Sequence, residues 1–320
     1  MRQLQAIVIL FLLLTVNVFS QKIITTLQPI PQPIDSISHW EKKNNIGFFI
    51  SEILFVNWNA GGTSSISGLL KTQFNRNYTN ENVRWANELI MRYGLNKQDG
   101  IELRKTEDAF QFSSTFGYRE NEKSNWYYSA KFNLNTQFTD GYSYPNKDIS
   151  VSGLFAPVYS FIGVGAEYAS EKKDRLFYFS PFTSKVTYVG NQRLADLGAF
   201  GVPKATYDAN GNLIHHSEKI KSELGTLITA YYKQKIAKNI VLENRVSLYS
   251  DYINTYGNVD IDYDLVLDLV VNQYVKTNIG IHLVYDDDIK AKEEIAGKQV
   301  TVGPKMQLKQ VLGVGLTYTF

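Results

Sequence analysis

Large apolar residues alternate with polar residues along most of this chain, which is the period-two pattern of β-strands whose two faces differ. Residues 259–271 show it most clearly, because apolar side chains occupy the odd positions while Asp260, Asp262, Asp264 and Asp268 occupy even ones. Carboxylates on alternate residues exclude a buried core on that face, and the row of large apolar residues excludes water on the other. The pattern therefore predicts strands with one wet face and one face in an apolar medium.

We predict twelve such strands in an all-β fold, a transmembrane antiparallel up-and-down β-barrel with the even strand number of bacterial barrels. Most segments run for about 12 to 16 residues, beyond the five or six of soluble sheets and enough to cross a bilayer. The first lacks clean alternation, and the sixth contains Pro157, which has no backbone N–H to donate. The predicted strands cover residues 46–58, 63–74, 82–95, 104–119, 124–139, 150–169, 176–189, 221–236, 239–254, 257–272, 274–287 and 305–320.

The predicted connections differ in length between the two ends of the barrel. Short polar turns, such as Ala237-Lys238, alternate with long loops, although the turn at 75–81 is longer than this rule prefers. Outer-membrane barrels show the same asymmetry, so we expect extracellular loops and periplasmic turns in a cell outer membrane. The long loops cover residues 96–103, 140–149, 190–220 and 288–304.

The N-terminus has the features of a secretory signal peptide. Arg2 precedes an apolar run at residues 6–14 that is too short to cross a membrane, and Val18 and Ser20 fit the small-residue cleavage rule. We expect residues 1–20 to be the signal peptide, 21–45 a periplasmic leader and 46–320 the barrel; a retained anchor and a leader inside the lumen are the alternatives. No later stretch of about 18 apolar residues follows, which excludes a helical membrane protein.

Composition removes several classes of function. Lys and Arg total 33 against 31 Asp and Glu, a formal net charge of +2, which does not indicate a nucleic-acid partner. The absence of Cys excludes disulfides, thiolate metal sites and thiol nucleophiles. The aromatic share of 13% is high, and girdle residues such as Trp85, Trp126 and Tyr318 at the membrane interfaces would account for it. A large soluble sandwich is the alternative.

Five segments of the chain have distinctive sequences: NWNAGGTSSISG at 57–68, RKTED at 104–108, GAFGV at 198–202, YDDD at 285–288 and GVGLTYTF at 313–320. Together they resemble a family of exported proteins of unknown function from the Bacteroidota phylum. The resemblance implies an outer-membrane β-barrel, and Phe320 resembles the aromatic residue by which barrel-assembly machinery recognises its clients. It implies no catalytic residue.

Strand parity predicts a lumen that carries charges of both signs. Two interpretations stay open: a charged pore that attracts cations, or a salt-bridged and nearly closed lumen. Pairing of neighbouring strands is expected to place Arg92 near Glu107, Asp268 near His282, and both Asp264 and Lys305 near Asp286. The lumen candidates are Arg84, Arg92, Glu107, Lys131, Glu243, Arg245, Asp260, Asp262, Asp264, Asp268, His282, Asp286, Lys305 and Lys309.

Enzyme chemistry has little support in the sequence, and we expect no catalytic, cofactor or metal site. His282 beside Asp268 is the one dyad that the pattern allows, as a base with its orienting carboxylate. The pair His215-His216 lies in the longest loop and is expected to be solvated. The run 286–288 lacks the alternating ligands and glycine of a calcium loop, so a solvated turn is favoured.

Three classes of function follow. The leading one is a channel or transport pore for small hydrophilic solutes. The alternative is a structural or assembly partner of another envelope complex with a plugged lumen, and an outer-membrane hydrolase is a distant third. The expected partners are outer-membrane lipid, the barrel-assembly machinery during biogenesis and, in the second class, another envelope protein.

Overall fold

The computed structural model describes residues 38–54, 63–253, 256–295 and 298–320. Within these ranges a short helix, α1 (Gln192–Asp196), and a 3-10 turn (Ala199–Gly201) accompany eighteen strands. The strands are β1 (Trp40–Ile53), β2 (Ser65–Asn80), β3 (Val83–Gln98), β4 (Arg104–Tyr118), β5 (Trp126–Thr136), β6 (Gly141–Tyr142), β7 (Ser150–Ser152), β8 (Val158–Ala169), β9 (Arg175–Tyr188), β10 (Thr206–Tyr207), β11 (Leu213–His215), β12 (Ile220–Ala237), β13 (Ile240–Asp251), β14 (Asp260–Val270), β15 (Val275–Tyr285), β16 (Lys290–Ile295), β17 (Lys298–Pro304) and β18 (Gln307–Thr319).

Twelve of the described strands form one closed antiparallel barrel, which confirms the predicted fold class and strand number. Their order around the barrel is β1-β18-β15-β14-β13-β12-β9-β8-β5-β4-β3-β2, so each strand pairs with its neighbours in the chain and β1 closes on β18. The six remaining described strands form three small hairpins in the connections: β6 with β7, β10 with β11, and β16 with β17. Closure leaves no free edge, which a strand-built membrane protein requires.

The first strand begins earlier than predicted. Residues 40–45, expected in the leader, belong to β1, where Trp40 pairs with Tyr78 and Asn45 with Gln73. Polar residues occupy both faces of this stretch, so its sequence carries no alternation, and its pairing with β2 makes it a strand. The predicted signal peptide, most of the leader and residues 55–62 lie outside the described residues.

Two further boundaries differ from the prediction. The expected strand at 150–169 is divided, because β8 starts after Pro157 and Phe155 adopts a positive φ of 54°. Proline cannot donate a hydrogen bond to the next strand, which explains the break. The expected turn at 75–81 is instead strand up to Asn80, and only Glu81 and Asn82 separate β2 from β3.

The outer surface of the barrel is apolar. On β18, Leu308, Leu312, Val314 and Leu316 are all more than half exposed, whereas Gly313 between them is buried on the inner face. Residues directly opposite one another on paired strands share a face, so this alternation passes from strand to strand. No helix among the described residues is long and apolar enough to cross a membrane.

An aromatic girdle surrounds the short-turn end of the barrel. Trp40 packs against Tyr78 and Trp85, with ring centroids 5.4 and 5.8 Å apart. Further around the wall, Trp126 packs against Tyr168 at 5.4 Å. Such amphipathic rings are favoured at the boundary between hydrocarbon and water, as predicted from the composition.

The opposite end carries the long connections, and one of them is folded. Val189, Leu194, Ala195 and Val202 form a small buried core with Ala156 from the preceding loop. Asn191 caps α1, its side-chain oxygen accepting a hydrogen bond from the N–H of Leu194. The loop between β9 and β12 is therefore an ordered cap with its own core.

A carboxylate holds this cap together. Asp196 accepts hydrogen bonds from the N–H of Ser217 at 2.8 Å and from Gln192 at 2.9 Å, and it contacts Nδ1 of His216 at 2.8 Å. These bonds, that of Ser217 first, hold the pKa of the Asp196 carboxyl below its ordinary value. The His216 side chain is 60% exposed, which agrees with the expected solvation, and it also makes this contact with Asp196.

Candidate functional site: the barrel lumen

The strand register assigns the side chains of the inner face. Asp286 follows β15 directly, and Lys305 lies two residues before β18, so both stand at the long-loop rim. The remaining predicted lumen residues lie within strands on the inner face: Arg84, Arg92, Glu107, Lys131, Glu243, Arg245, Asp260, Asp262, Asp264, Asp268, His282 and Lys309.

An ion pair crosses the lumen near its middle. Arg245 on β13 donates from Nη1 and Nη2 to the two carboxylate oxygens of Glu88 on β3, at 2.7 and 3.2 Å. These strands lie six positions apart in the ring of twelve, on opposite walls. Tyr231 supports the guanidinium, its ring centroid 4.8 Å from Arg245 Cζ. The lumen is therefore narrow enough at this level for two side chains to span it.

Neighbouring groups fix both ends of this bridge. Gln73 donates to Glu88 at 2.6 Å, while Glu243 accepts from Arg245 at 3.1 Å and from Lys233 at 3.0 Å. Each carboxylate oxygen and cation thus has a partner of opposite charge or polarity. A bidentate arginine held in this way is rigid, because its planar fork matches the carboxylate.

A second bridge lies nearer the long-loop end. Glu107 on β4 accepts from Arg92 at 3.0 Å, which agrees with the expected proximity of these two residues. It also accepts from Lys309, at 2.8 and 3.0 Å, although β18 lies four strands away around the ring. Two cations from different walls therefore converge on one carboxylate.

One side of the lumen is densely packed. Tyr178, Leu227 and Tyr249 are buried against one another, with Phe161 against them, along β8, β9, β12 and β13. Lys131 crosses this region, donating to Thr229 at 2.9 Å. The predicted lumen candidates were charged residues and histidine, so they omitted these side chains, although Tyr249 has the same parity as the inward Arg245 on β13. For Tyr178 the sequence signal is Pro181, where β9 is bulged against both neighbours.

Charged side chains at the two ends of the packed region are buried against side chains of opposite charge. Arg84 contacts Glu167 at 2.6 Å near the short-turn end, with both side chains under 10% exposed. At the long-loop mouth, Lys185 lies 2.7 Å from Asp260, 3.6 Å from Glu223 and 3.8 Å from Asp286. Such pairs compensate charge where water is excluded.

Another side of the lumen, along β14, β15 and β18, is accessible to water near the long-loop end. Asp262 has a side chain 50% exposed, and Lys309 41%, although both face inward. Gly280 lies on β15, the strand between β14 and β18. A Cβ atom added to Gly280 would have no other atom closer than 3.6 Å, so the inner face is not crowded at this position. Both residues are the third of their strands, Asp262 of β14 and Lys309 of β18, counted from the long-loop end, so water from that mouth reaches this side of the lumen.

His282 has a different partner from the one predicted. The register sets His282 opposite Asp264, and its Nε2 lies 2.9 Å from Asp262 Oδ1, whereas Asp268 faces Asn278 and accepts from it at 2.7 Å. The expected His282–Asp268 pair is therefore wrong by four residues: β14 and β15 pair symmetrically about residue 273, whereas the expected pairs were centred on residue 275. For the same reason Asp264 does not lie near Asp286.

The bulge in β4 moves one basic residue out of the lumen. Pairing of β3 with β4 shifts between Gly94 and Leu95, so Lys105 shares the outer face with Leu95. Lys105 donates to Asp108 at 2.7 Å, and Asp108 also accepts from the N–H of Thr139 at 2.9 Å. Unbroken alternation from the inward Glu107 would place Lys105 inside, and nothing in the sequence marks this bulge.

Comparison with known proteins assigns no activity. The family described as Protein of unknown function (DUF3078) matches residues 50–142, as the resemblance to an uncharacterised family implied. No curated protein matches the chain.

Solved structures supply only distant likenesses. The chain is similar to an outer membrane channel from Pseudomonas putida F1, with 8% identity and a TM-score of 0.38 over 90% of this chain and 100% of that one. It is similar to the NanC porin, with 11% identity and a TM-score of 0.35 over 87% of this chain and 98% of that one. It is also similar to the translocator domain of the autotransporter NalP from Neisseria meningitidis, with 11% identity and a TM-score of 0.32 over 88% of this chain and 87% of that one. Likenesses of this size carry no argument about function.

Proposed function

We propose that this chain is an outer-membrane β-barrel that passes small hydrophilic solutes through a narrow, charge-lined lumen. The observation that carries this proposal is the water-accessible side of the lumen, where Asp262 and Lys309 face inward yet remain widely exposed. A barrel whose lumen served only to balance charge would bury such groups in pairs, as it does for Arg84 and Glu167.

The outer surface supports a membrane location. Outward residues such as Leu312 and Leu316 are more than half exposed, which is costly in water and favourable in lipid. The aromatic girdle and the division into long loops and short turns are also those of outer-membrane barrels. We propose that the long loops are extracellular and the short turns periplasmic.

The two lumen bridges limit the size of the solute. Arg245–Glu88 joins opposite walls, and Lys309–Glu107 narrows the passage nearer the mouth. Substrates that pass beside these pairs must be small, and ions fit this requirement better than sugars or peptides. Charged walls also replace part of the hydration shell of an ion as it moves.

Conductance of the refolded protein in a planar bilayer tests this function. We expect small, steady steps for the wild type, and larger steps for Arg245→Ala, which removes one end of the central bridge. Lys204→Ala, in the exposed part of the long loop between β9 and β12, is the matched control and should conduct like the wild type. A heat-modifiability gel confirms folding; folded wild type and Arg245→Ala that are both silent would contradict the proposal.

A second candidate function is a closed barrel that docks an envelope partner. The folded cap, whose core includes Val189, Leu194 and Val202, favours it, because an ordered loop suits recognition better than a mobile one. This alternative predicts a silent wild type, a conducting Arg245→Ala variant and a stable co-purifying complex. The same bilayer experiment therefore separates the two functions.

A further inference from the structure

Three side chains on two adjacent strands converge on the water-accessible side of the lumen. Asp262 and Asp264 project from β14, and His282 projects from β15. One ligand atom from each of the three lies within 4.8 Å of the other two. His282 Nε2 is aimed at Asp262, 2.9 Å from its Oδ1, and lies directly opposite Asp264 in the register.

The basic residues next to this cluster are held away from it. Lys309 pairs with His282 across the β15–β18 ladder, but its ammonium group binds Glu107. Arg245 pairs with Asp264 across the β13–β14 ladder, but its guanidinium binds Glu88. In the described part of the chain, no lysine or arginine forms an ion pair with Asp262 or Asp264. Apart from the contact of His282 with Asp262, the negative charge of the two carboxylates is therefore left for a cation from solution.

The neighbouring acidic group at the mouth is different. Asp260, Asp286 and Asp287 also approach one another within 4.8 Å. There, however, Lys185 lies 2.7 Å from Asp260 and supplies a tethered positive charge. A lysine thus already compensates the mouth group, whereas no described lysine or arginine does so in the deeper cluster.

The donor set indicates the class of ion. One imidazole nitrogen and two carboxylate oxygens are ligands that Zn²⁺ and similar divalent transition metals accept, with water completing the shell. Calcium and magnesium prefer oxygen ligands alone, so His282 disfavours them. Access is available, because Asp262 is half exposed to the lumen.

We propose that Asp262, Asp264 and His282 form a binding site for a divalent transition-metal ion inside the lumen. The site deepens the proposed function, since it rests on the proposed passage and names a class of cation that enters it. Conduction is not required for binding.

Calorimetric titration of the untagged mature barrel, refolded in detergent, with Zn²⁺ tests the site. We expect one Zn²⁺ per chain, with affinity at least tenfold weaker in His282→Gln and in Asp264→Asn. Asp268→Asn is the matched control: Asp268 is an inward carboxylate of the same strand, but its partner is Asn278, so affinity should be unchanged. His216→Gln controls for binding in the loop and should also leave the affinity unchanged.

The outcomes separate this site from the proposed function. Absence of Zn²⁺ binding, or equal affinity in folded wild type and His282→Gln, would overturn the site, as would loss of binding in His216→Gln. Tight binding lost in His282→Gln would support it even if the bilayers were silent, in which case only the channel function fails. Conduction without Zn²⁺ binding would leave the channel and remove the site.

Discussion

Replacing Leu312 with arginine measures directly which face of the wall meets lipid. Leu312 is the sixth residue of β18, and its side chain is 64% exposed on the outer surface, opposite Ile279 of β15. Five residues at about 3.4 Å each, on a strand tilted by about 40°, place it about 13 Å below the long-loop end of β18. That depth is close to the middle of an apolar band about 25 Å tall.

Arginine at this depth should destabilise the barrel by about 2 to 4 kcal/mol. The change corresponds to a roughly 30- to 1,000-fold shift in the folding equilibrium. Val311→Arg is the matched control, because Val311 is the adjacent residue on the inner face, where it pairs with Gly280. The lumen is polar and has room there, so we expect Val311→Arg to cost less than about 1 kcal/mol.

Denaturant titration of the barrel in lipid vesicles, followed by tryptophan fluorescence, gives both free energies. A lower midpoint with an unchanged slope indicates a loss of stability rather than a change in the unfolded state. Equal costs for Leu312→Arg and Val311→Arg, or a larger cost for Val311→Arg, would refute the assignment of the two faces.

Three further predictions concern the lumen bridge, the barrel seam and the cap. Arg245→Gln should lower the free energy of unfolding of the barrel by about 1 to 2 kcal/mol. This is less than the roughly 3 to 5 kcal/mol lost when a fully buried pair is broken, because lumen water reaches both partners. A double-mutant cycle with Glu88→Gln should assign most of this cost to the coupling between the two residues. Removing Phe320 deletes two backbone hydrogen bonds with Asn44 that end the β1–β18 seam, so the yield of heat-modifiable barrel should fall, and a normal yield would contradict this. Because the pKa of the Asp196 carboxyl is lowered, its contribution to the stability of the cap is fully present above the ordinary pKa of about 4 and is lost as pH falls through the lowered pKa. Amide exchange at Ser217, corrected for intrinsic rate, should therefore rise in that acidic range. Asp196→Asn should show the same fast exchange already at about pH 7.

The barrel could be predicted from sequence because membrane strands record both of their environments in alternate residues. On β14, the four aspartates and the apolar residues between them fix the two faces without any knowledge of neighbouring strands. The same rule fails where polar residues occupy both faces of a strand. Residues 41–45 are all polar and carry no alternation, and their pairing with β2 makes them a strand.

The interior was less predictable, because it depends on distances across the barrel. Arg245 and Glu88 are 157 residues apart, and no local pattern relates them. Predicted pairs between neighbouring strands depended on the residue about which each hairpin was centred: Arg92 and Glu107 lie together, whereas His282 is offset from Asp268 by four residues. A bulge, such as the one that moves Lys105 outward, changes the face of a residue without a sequence signal.

Thiol labelling along β14 tests most directly whether the lumen holds a water-filled passage. The chain contains no cysteine, so single substitutions give unambiguous sites. In the refolded barrel in vesicles, a water-soluble, membrane-impermeant thiol reagent should react with Asp262→Cys and Asp264→Cys but not with Tyr263→Cys or Leu265→Cys. Protection at all four positions in folded protein would show a dry, closed lumen and contradict the proposed passage.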